Sequence, residues 1–176
     1  EGREVLAPGD EDDVLAGATH LVEHLTLRRC GGRDRHELAA LVDRLGGDVD
    51  AWTGAEMMGV SLTTTVESLG EGLDLLVDAV TDPSFEPEDL ELERRVILAE
   101  LELLRDDPSE LVEEALLRAA WDGHSLARPV IGTAESIRSL EADTLKAHHR
   151  ELIAPGRVVV AVAGDLNGLD VNGRLD

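Results

Sequence analysis

Apolar residues recur at helical spacing along most of this chain of 176 residues. Residues three and four positions apart share one face of a helix, so each such stretch predicts an amphipathic helix. Glycine pairs and prolines mark several of the ends, as at Gly31-Gly32 and Asp82-Pro83. The pattern predicts helices over residues 17–29, 34–45, 67–81, 87–105, 107–121, 134–139 and 142–153.

Shorter stretches favour strands. Residues 48–53 alternate and residues 57–65 are rich in Val and Thr, which predicts two antiparallel strands around Gly54-Ala55. Residues 5–8 predict a short strand, and the continuous β-branched run 158–163 predicts a buried central strand. We therefore expect an α+β fold in which helices pack on a mostly antiparallel sheet, with residues 1–176 forming a single domain.

The composition restricts the partners. The chain has 43% hydrophobic but only 2% aromatic residues, so an aliphatic core is expected. The 38 acidic and 16 basic residues give a net charge of -22, which repels nucleic acid. The same charge is also typical of solvated, acidic helix faces.

Nothing in the sequence indicates a membrane or an oxidising compartment. Cys30 is the only cysteine, so no internal disulfide can form. No apolar run approaches the length of a membrane span, and the first residues do not resemble a signal peptide. We expect a cytoplasmic protein without a membrane partner, although an export signal upstream of Glu1 stays open.

The segment His20-Leu-Val-Glu23-His24 has the H-x-x-E-H pattern of a helix-borne zinc site. Two histidines four residues apart lie above each other on one helix face, and Glu23 stays on the same side. Catalytic zinc usually has three protein ligands, so the motif supplies two and requires a third. The alternative is a solvated helix face with coincidental spacing.

Glu93 and Glu100 are candidates for that third ligand. They are seven residues apart in a predicted helix, about two turns, and therefore share one face. Val96 and Ile97 between them make the face partly apolar, and a carboxylate among apolar side chains favours a nearby cation. The spacing alone leaves both residues open.

Five segments, in order, resemble the insulinase/pitrilysin family of zinc peptidases, and most closely its bacterial branch similar to the mitochondrial processing peptidase. Because the resemblance covers nearly the whole chain, it is far more specific than the five-residue motif alone. The segments are His20-Leu-Val-Glu-His24, Leu45-Gly-Gly-Asp-Val-Asp-Ala-Trp-Thr53 with Glu56, Glu93-Arg-Arg-Val-Ile-Leu-Ala-Glu100, Arg128-Pro-Val-Ile-Gly-Thr133 and Val160-Ala-Val-Ala-Gly-Asp165.

The resemblance implies a role for each motif residue. It makes His20, His24 and Glu100 the ligands of a zinc ion and Glu23 the general base of a metalloendopeptidase. Glu93 matches a family glutamate that lies near the metal without binding it and that orients a ligand imidazole. For Glu93 the alternative is a surface acid paired with a nearby arginine.

The resemblance also implies a substrate-binding strand at Asp50, Ala51, Trp52 and Thr53. An extended peptide that pairs with a strand gains main-chain hydrogen bonds, and side-chain pockets then select its sequence. The family usually has asparagine where this chain has Asp50, so the added charge is expected to change substrate polarisation or to favour basic side chains.

Family members have more strands before the motif and a second half that closes over the peptide. The chain is therefore expected to be a processing-peptidase-like half-domain, truncated at both ends, whose partner is a homologous domain or subunit. One alternative is a non-catalytic relative that serves as a binding or scaffolding subunit. Another is a truncated remnant that binds zinc but folds poorly.

The remaining chemically active side chains are assigned no catalytic role. His148 and His149 are adjacent, cannot share a helix face, and are expected on the surface. His36 and His124 are expected there too. Cys30 is predicted to be a small core filler. For Arg128 two interpretations are left, a contact with substrate or partner and a structural ion pair.

Overall fold

The computed structural model describes residues 14–166, which form helices around a small sheet. A capping box starts the second helix as predicted, because the Asp34 carboxylate accepts from the backbone N–H groups of His36 and Glu37 while Glu37 accepts from that of Asp34. The helices are α1 Ala18–Thr26, α2 Arg35–Leu45, α3 Leu69–Thr81, α4 Pro87–Arg105, α5 Pro108–Ala120, α6 Ala134–Ser139 and α7 Ala142–Leu152, with a 3₁₀ turn at Ser125–Ala127.

The sheet of the described residues has two antiparallel strands. β1 spans Asp48–Thr53 and β2 spans Met58–Thr63, with Asp48 opposite Thr63 and Thr53 opposite Met58. Trp52 faces Gly59, and its ring occupies the space that a side chain at Gly59 would fill. The predicted α+β class and the antiparallel pairing are confirmed.

Two apolar clusters hold these elements together. The larger surrounds α1, whose Leu21, Val22 and Leu25 are fully buried, and joins it to α4, α6 and α7. The smaller lies between α2 and α3, with Leu75 and Cys30 at its centre. Apart from Phe85, Met58 and Cys30 both clusters are aliphatic, as the composition predicts. The apolar side of helix α1 is thus packed in the core, while its opposite side is free to contact other groups.

The buried central strand predicted over residues 158–163 is wrong. These residues form no strand, and Val159 is 91% exposed, with Val158 and Val160 each 49% exposed. A β-branched run is buried as a strand only where another strand supplies hydrogen bonds and a layer covers it. Neither β1 nor β2 pairs with this run. The strand predicted at 5–8 lies outside the described residues.

Helix α5 is the least buried of the described helices, since none of its residues is buried. Its apolar side chains Leu111, Val112 and Leu116 are 46%, 68% and 64% exposed.

Within residues 14–166, no helix combines the length and apolar character needed to cross a bilayer.

Candidate metal centre

Helix α1 places the motif. Gly17 precedes it with φ of 81°, and a side chain there would collide with the Ile131 carbonyl and with Ile137. Glycine is therefore needed for α1 to start so close to the segment before α6. The helix buries Leu21 and Leu25 on one side and leaves the motif residues half-buried on the other.

The two histidines converge on one point. The Nε2 atoms of His20 and His24 lie 3.3 Å apart. Two ligand nitrogens about 2.05 Å from a tetrahedral zinc are separated by about 3.3 Å. His20, Glu23 and His24 also present one ligand atom each within 4.8 Å of one another. The donor set and its spacing fit zinc.

Glu100 reaches the same point from α4. Its Oε2 atom lies 3.7 Å from His24 Nε2 and 4.0 Å from His20 Nε2. Both distances exceed the tetrahedral edge, by about 0.4 and 0.7 Å. The side chain is 38% exposed, so it has room to rotate inward. The structure thus brings Glu100 to the histidines, although Glu23 lies nearer to His20, at 3.7 Å, than Glu100 does, at 4.0 Å.

Glu93 lies behind His24. Its Oε2 atom is 3.0 Å from His24 Nδ1, and its side chain is only 8% exposed. Nδ1–H donating to Glu93 leaves the Nε2 lone pair directed at the common point. Burial lowers the pKa of His24, but the hydrogen bond to Glu93 and the charges of Glu23 and Glu100 outweigh it and raise the pKa above its ordinary value.

Glu23 extends from α1 to the end of β1. Thr53 Oγ1 donates to its Oε2 atom at 3.5 Å. Burial raises the pKa of Glu23, and the charges of Glu100 and Asp50 add to the rise, while His24 and the Thr53 hydroxyl partly oppose it. A carboxylate with a raised pKa is a better proton acceptor near neutral pH.

The predicted substrate strand is β1 itself. Ala51 and Thr53 face inward and are half-buried, whereas Asp50 and Trp52 are exposed on the opposite face. Thr53 also lines an open recess of about 390 Å³ with His20, Glu100 and four apolar side chains: Leu103, Leu104, Val130 and Ile131. A larger open recess, of about 580 Å³, contains none of the predicted ligands.

Arg28 was not singled out from the sequence, although pairing with a nearby arginine was the alternative interpretation of Glu93. Its Nε atom lies 2.8 Å from Glu93 Oε1, so Glu93 contacts an arginine and a histidine at once. The i to i+4 spacing from His24 to Arg28 is the signal that could have indicated it. Of the apolar residues of the recess, Val130 and Ile131 belong to one of the five segments that resemble the family, whereas Leu103 and Leu104 had no comparable signal.

The prediction that His148 and His149 lie on the surface is wrong, since they are 6% and 7% exposed. His148 Nε2 lies 2.8 Å from the Thr19 hydroxyl, and His149 Nε2 lies 2.9 Å from the Val80 carbonyl oxygen. These partners make the burial of both rings favourable. His36 and His124 are exposed as predicted.

Cys30 is buried in the smaller cluster, as a core filler would be. Burial raises the pKa of its thiol to about 11, with the charge of Asp78 adding to the rise. Since the thiolate is the reactive form, this position is unsuited to nucleophilic chemistry.

A helix that presents two histidines and a glutamate, packed against a second helix with acidic residues, defines the chain as a peptidase-type H-x-x-E-H domain. The sequence model of the insulinase family, peptidase family M16, matches residues 9–134. The chain belongs to this family.

One relative, named an uncharacterized zinc protease of Mycobacterium leprae, is 34% identical over 158 residues. The match covers 90% of this chain and 36% of the relative. The chain thus spans about a third of the length of this curated relative.

Solved structures share the fold. A protease from Helicobacter pylori superposes with a TM-score of 0.76 at 20% identity, over 82% of this chain and 35% of that one. The inactive domain of a peptidase M16 from Pseudomonas fluorescens superposes with a TM-score of 0.73 at 23% identity, over 81% of this chain and 35% of that one. The expectation of a half-domain of this family is confirmed.

Proposed function

We propose that this chain is the metal-bearing part of a zinc-dependent endopeptidase that hydrolyses extended peptides. The observation that supports it most is the 3.3 Å separation of the His20 and His24 Nε2 atoms, with the Glu100 carboxylate 3.7 Å from one of them. In this proposal His20, His24 and Glu100 hold the ion. When bound, zinc supplies a Lewis acid that polarises a carbonyl and lowers the pKa of a water molecule.

Glu23 would act as the general base. Its Oε2 atom is 3.7 Å from His20 Nε2, beside the proposed metal position, and accepts a long hydrogen bond from Thr53 Oγ1 at 3.5 Å. In this role the carboxylate takes a proton from the attacking water and then gives it to the leaving amine of the cleaved peptide bond. The partly buried setting limits the water molecules that compete for that proton.

The substrate would be an extended peptide aligned by β1. Among the described residues β1 pairs only with β2, so its other edge can accept an added strand. Thr53 at the end of β1 contacts Glu23, so a peptide on that edge would pass close to the proposed base. Asp50, exposed on the same strand, would favour a basic peptide side chain.

A homologous domain or subunit would complete the site. The recess next to His20 and Glu100 is open, and the chain spans only 36% of the Mycobacterium leprae relative. A closing half would exclude water and hold the peptide in place. The alternative, a non-catalytic binding or scaffolding subunit, is favoured by the similarity to a Pseudomonas fluorescens domain described as inactive.

The proposal is tested by the hydrolysis of a fluorogenic, unstructured peptide. One assay uses the chain alone, and a second adds the part of a family member that this chain does not match. Glu23→Gln should keep its zinc and lose at least about 100-fold in rate, because general-base catalysis contributes about 100-fold or more. Glu102→Gln, a substitution of an exposed acid on α4, should retain the activity.

Cleavage by Glu23→Gln at the wild-type rate would contradict the role of Glu23. If the zinc-loaded wild-type chain cleaves nothing in either setting, the scaffolding alternative is supported instead.

A further inference from the structure

Helices α1 and α4 are joined by a series of acid–base contacts that runs past the metal position. The contacts follow the segment from His24 to Arg29 and helix α4 in opposite orders, so the two run antiparallel along this line. The two arginines after the motif contact acids progressively closer to the start of α4. Glu93 lies about two turns before Glu100, and Asp89 lies about one turn before Glu93. In order along α1 and the turn that follows it, His24 contacts Glu100 at 3.7 Å, His24 contacts Glu93 at 3.0 Å, Arg28 contacts Glu93 at 2.8 Å and Arg29 contacts Asp89 at 2.5 Å.

Both carboxylate oxygens of Glu93 are used. Oε2 faces His24 Nδ1 and Oε1 faces Arg28 Nε. The terminal torsion of a glutamate is broad and has no sharp preferred angle. A contact on Oε2 alone would therefore leave the carboxylate free to rotate, whereas contacts on both oxygens fix its plane. That plane determines where the His24 ring points.

The surroundings of Arg28 favour a role in orienting the Glu93 carboxylate over a purely structural role. Its side chain is 22% exposed, and its Nη2 atom is buried without a hydrogen-bond acceptor among residues 14–166. The Nε contact is close in distance but is not an aligned hydrogen bond, so its contribution is mainly electrostatic. Arg28 thus places a half-buried positive charge beside Glu93, without a second acid among the described residues to share it.

We infer that Arg28 is a positioning residue for the metal centre, which acts through Glu93 on the orientation of His24. This inference rests on the zinc site proposed above. Partners outside the first ligand shell orient ligand imidazoles, and their loss typically weakens metal affinity by about 10- to 100-fold. Arg28 is one step further out, so its loss should cost about 10-fold, the lower end of that range.

Arg29 provides a matched control. It is adjacent to Arg28, lies in the same turn after α1, and pairs with the buried Asp89 of the same helix α4. Arg29 Nε donates to Asp89, which makes no contact with a histidine of the motif in the described residues. A residue that only holds α1 against α4 would behave like Arg29.

The experiment measures zinc dissociation constants by competition with a chromophoric chelator, on the full chain, for the wild type, Arg28→Met, Arg28→Lys and Arg29→Met. Arg28→Met should bind zinc about 10-fold more weakly, whereas Arg28→Lys and Arg29→Met should stay within about 3-fold of the wild type. The visible spectrum of the cobalt-substituted protein should change in Arg28→Met alone. Circular dichroism identifies the temperature at which every variant is folded.

A double-mutant cycle with Glu93→Gln tests the route of action. If Arg28 acts through Glu93, Arg28→Met should cause no further loss of affinity in the Glu93→Gln background. Additive losses, wild-type affinity in Arg28→Met, or an equal loss in Arg29→Met would each overturn the inference. If the wild-type chain itself binds no zinc, it is the proposed function that fails, and the two failures are therefore distinguishable.

Discussion

Thr53 Oγ1 lies 3.5 Å from Glu23 Oε2 and links the last residue of β1 to the glutamate of the H-x-x-E-H motif, 30 residues earlier in the chain. The contact is at the long end of the range for a hydrogen bond. It nevertheless joins the two parts of the proposed site, because one residue belongs to the proposed substrate strand and the other is the proposed base. The position of the strand relative to the motif helix is therefore expected to affect the chemistry.

Replacement of Thr53 by valine should reduce peptide hydrolysis only slightly. The substitution keeps the shape of the side chain and removes one weak hydrogen bond. A normal bond contributes about 1 kcal/mol, or about 5-fold in rate, so the loss of kcat/KM should not exceed about 5-fold. Steady-state kinetics measure it, with Thr63→Val, an exposed position on β2, as the control. A loss as large as that of Glu23→Gln would show that Thr53 has a larger role.

Glu100 and Glu102 should differ in their effect on zinc. Glu100 Oε2 lies within 4.0 Å of both histidine Nε2 atoms, whereas Glu102 pairs with Arg105 on the surface. Glu100→Gln should weaken zinc binding by at least about 100-fold, beyond the usual effect of groups outside the ligand shell, and Glu102→Gln should have no effect. Chelator competition provides the dissociation constants.

Unchanged affinity in Glu100→Gln would remove Glu100 from the ligand set. Glu23, whose carboxylate groups with His20 and His24 so that the three ligand atoms lie within 4.8 Å of one another, would then be the better candidate. The same measurement on Glu23→Gln separates the two carboxylates.

His149 should make the fold less stable in mild acid. Burial lowers its pKa below 6.5, and nearby His148 and Arg150 lower it further, while the Val80 carbonyl partly opposes the shift. Below pH 6.5 the unfolded chain therefore binds a proton that the folded chain does not bind. The contribution of neutral His149 to stability is present above pH 6.5 and decreases as the pH falls towards the folded-state pKa.

Thermal melts at pH 7.5 and 5.5 test this. The decrease in Tm between the two values should be smaller in His149→Gln than in the wild type, because glutamine does not titrate and can still donate to Val80. His36→Gln, at an exposed position, should match the wild type. Equal decreases in all three proteins would show that His149 is not responsible.

The helices were predictable where local signals agreed. Pro87 occupies the first turn of α4, and apolar residues such as Leu90 and Ile97 recur on one face, so the predicted range 87–105 matches the structure. The capping box at Asp34 fixed the start of α2 in the same way. For α1 the predicted end, residue 29, was too late, because the helix ends at Thr26. Local sequence determines such elements, with errors of a few residues at the ends.

Features that depend on distant partners were not predictable. His148 is buried because Thr19, 129 residues away, supplies a polar partner, and His149 because Val80, 69 residues away, does so. Val159 is exposed because no described strand lies beside it. The contact of Arg28 with Glu93 likewise depends on the packing of α1 against α4. Such contacts follow from tertiary structure, which local pattern does not contain.

Metal analysis of the purified chain tests the central claim most directly. The protein is expressed in zinc-containing medium, purified without chelator and examined by elemental mass spectrometry, beside a His20→Ala/His24→Ala variant whose folding is checked by circular dichroism. The wild type should contain about one zinc ion per chain, since the histidine Nε2 atoms have the separation of a tetrahedral site, and the folded variant should contain almost none. Equal zinc contents in the two proteins, or no zinc in the wild type, would contradict the account.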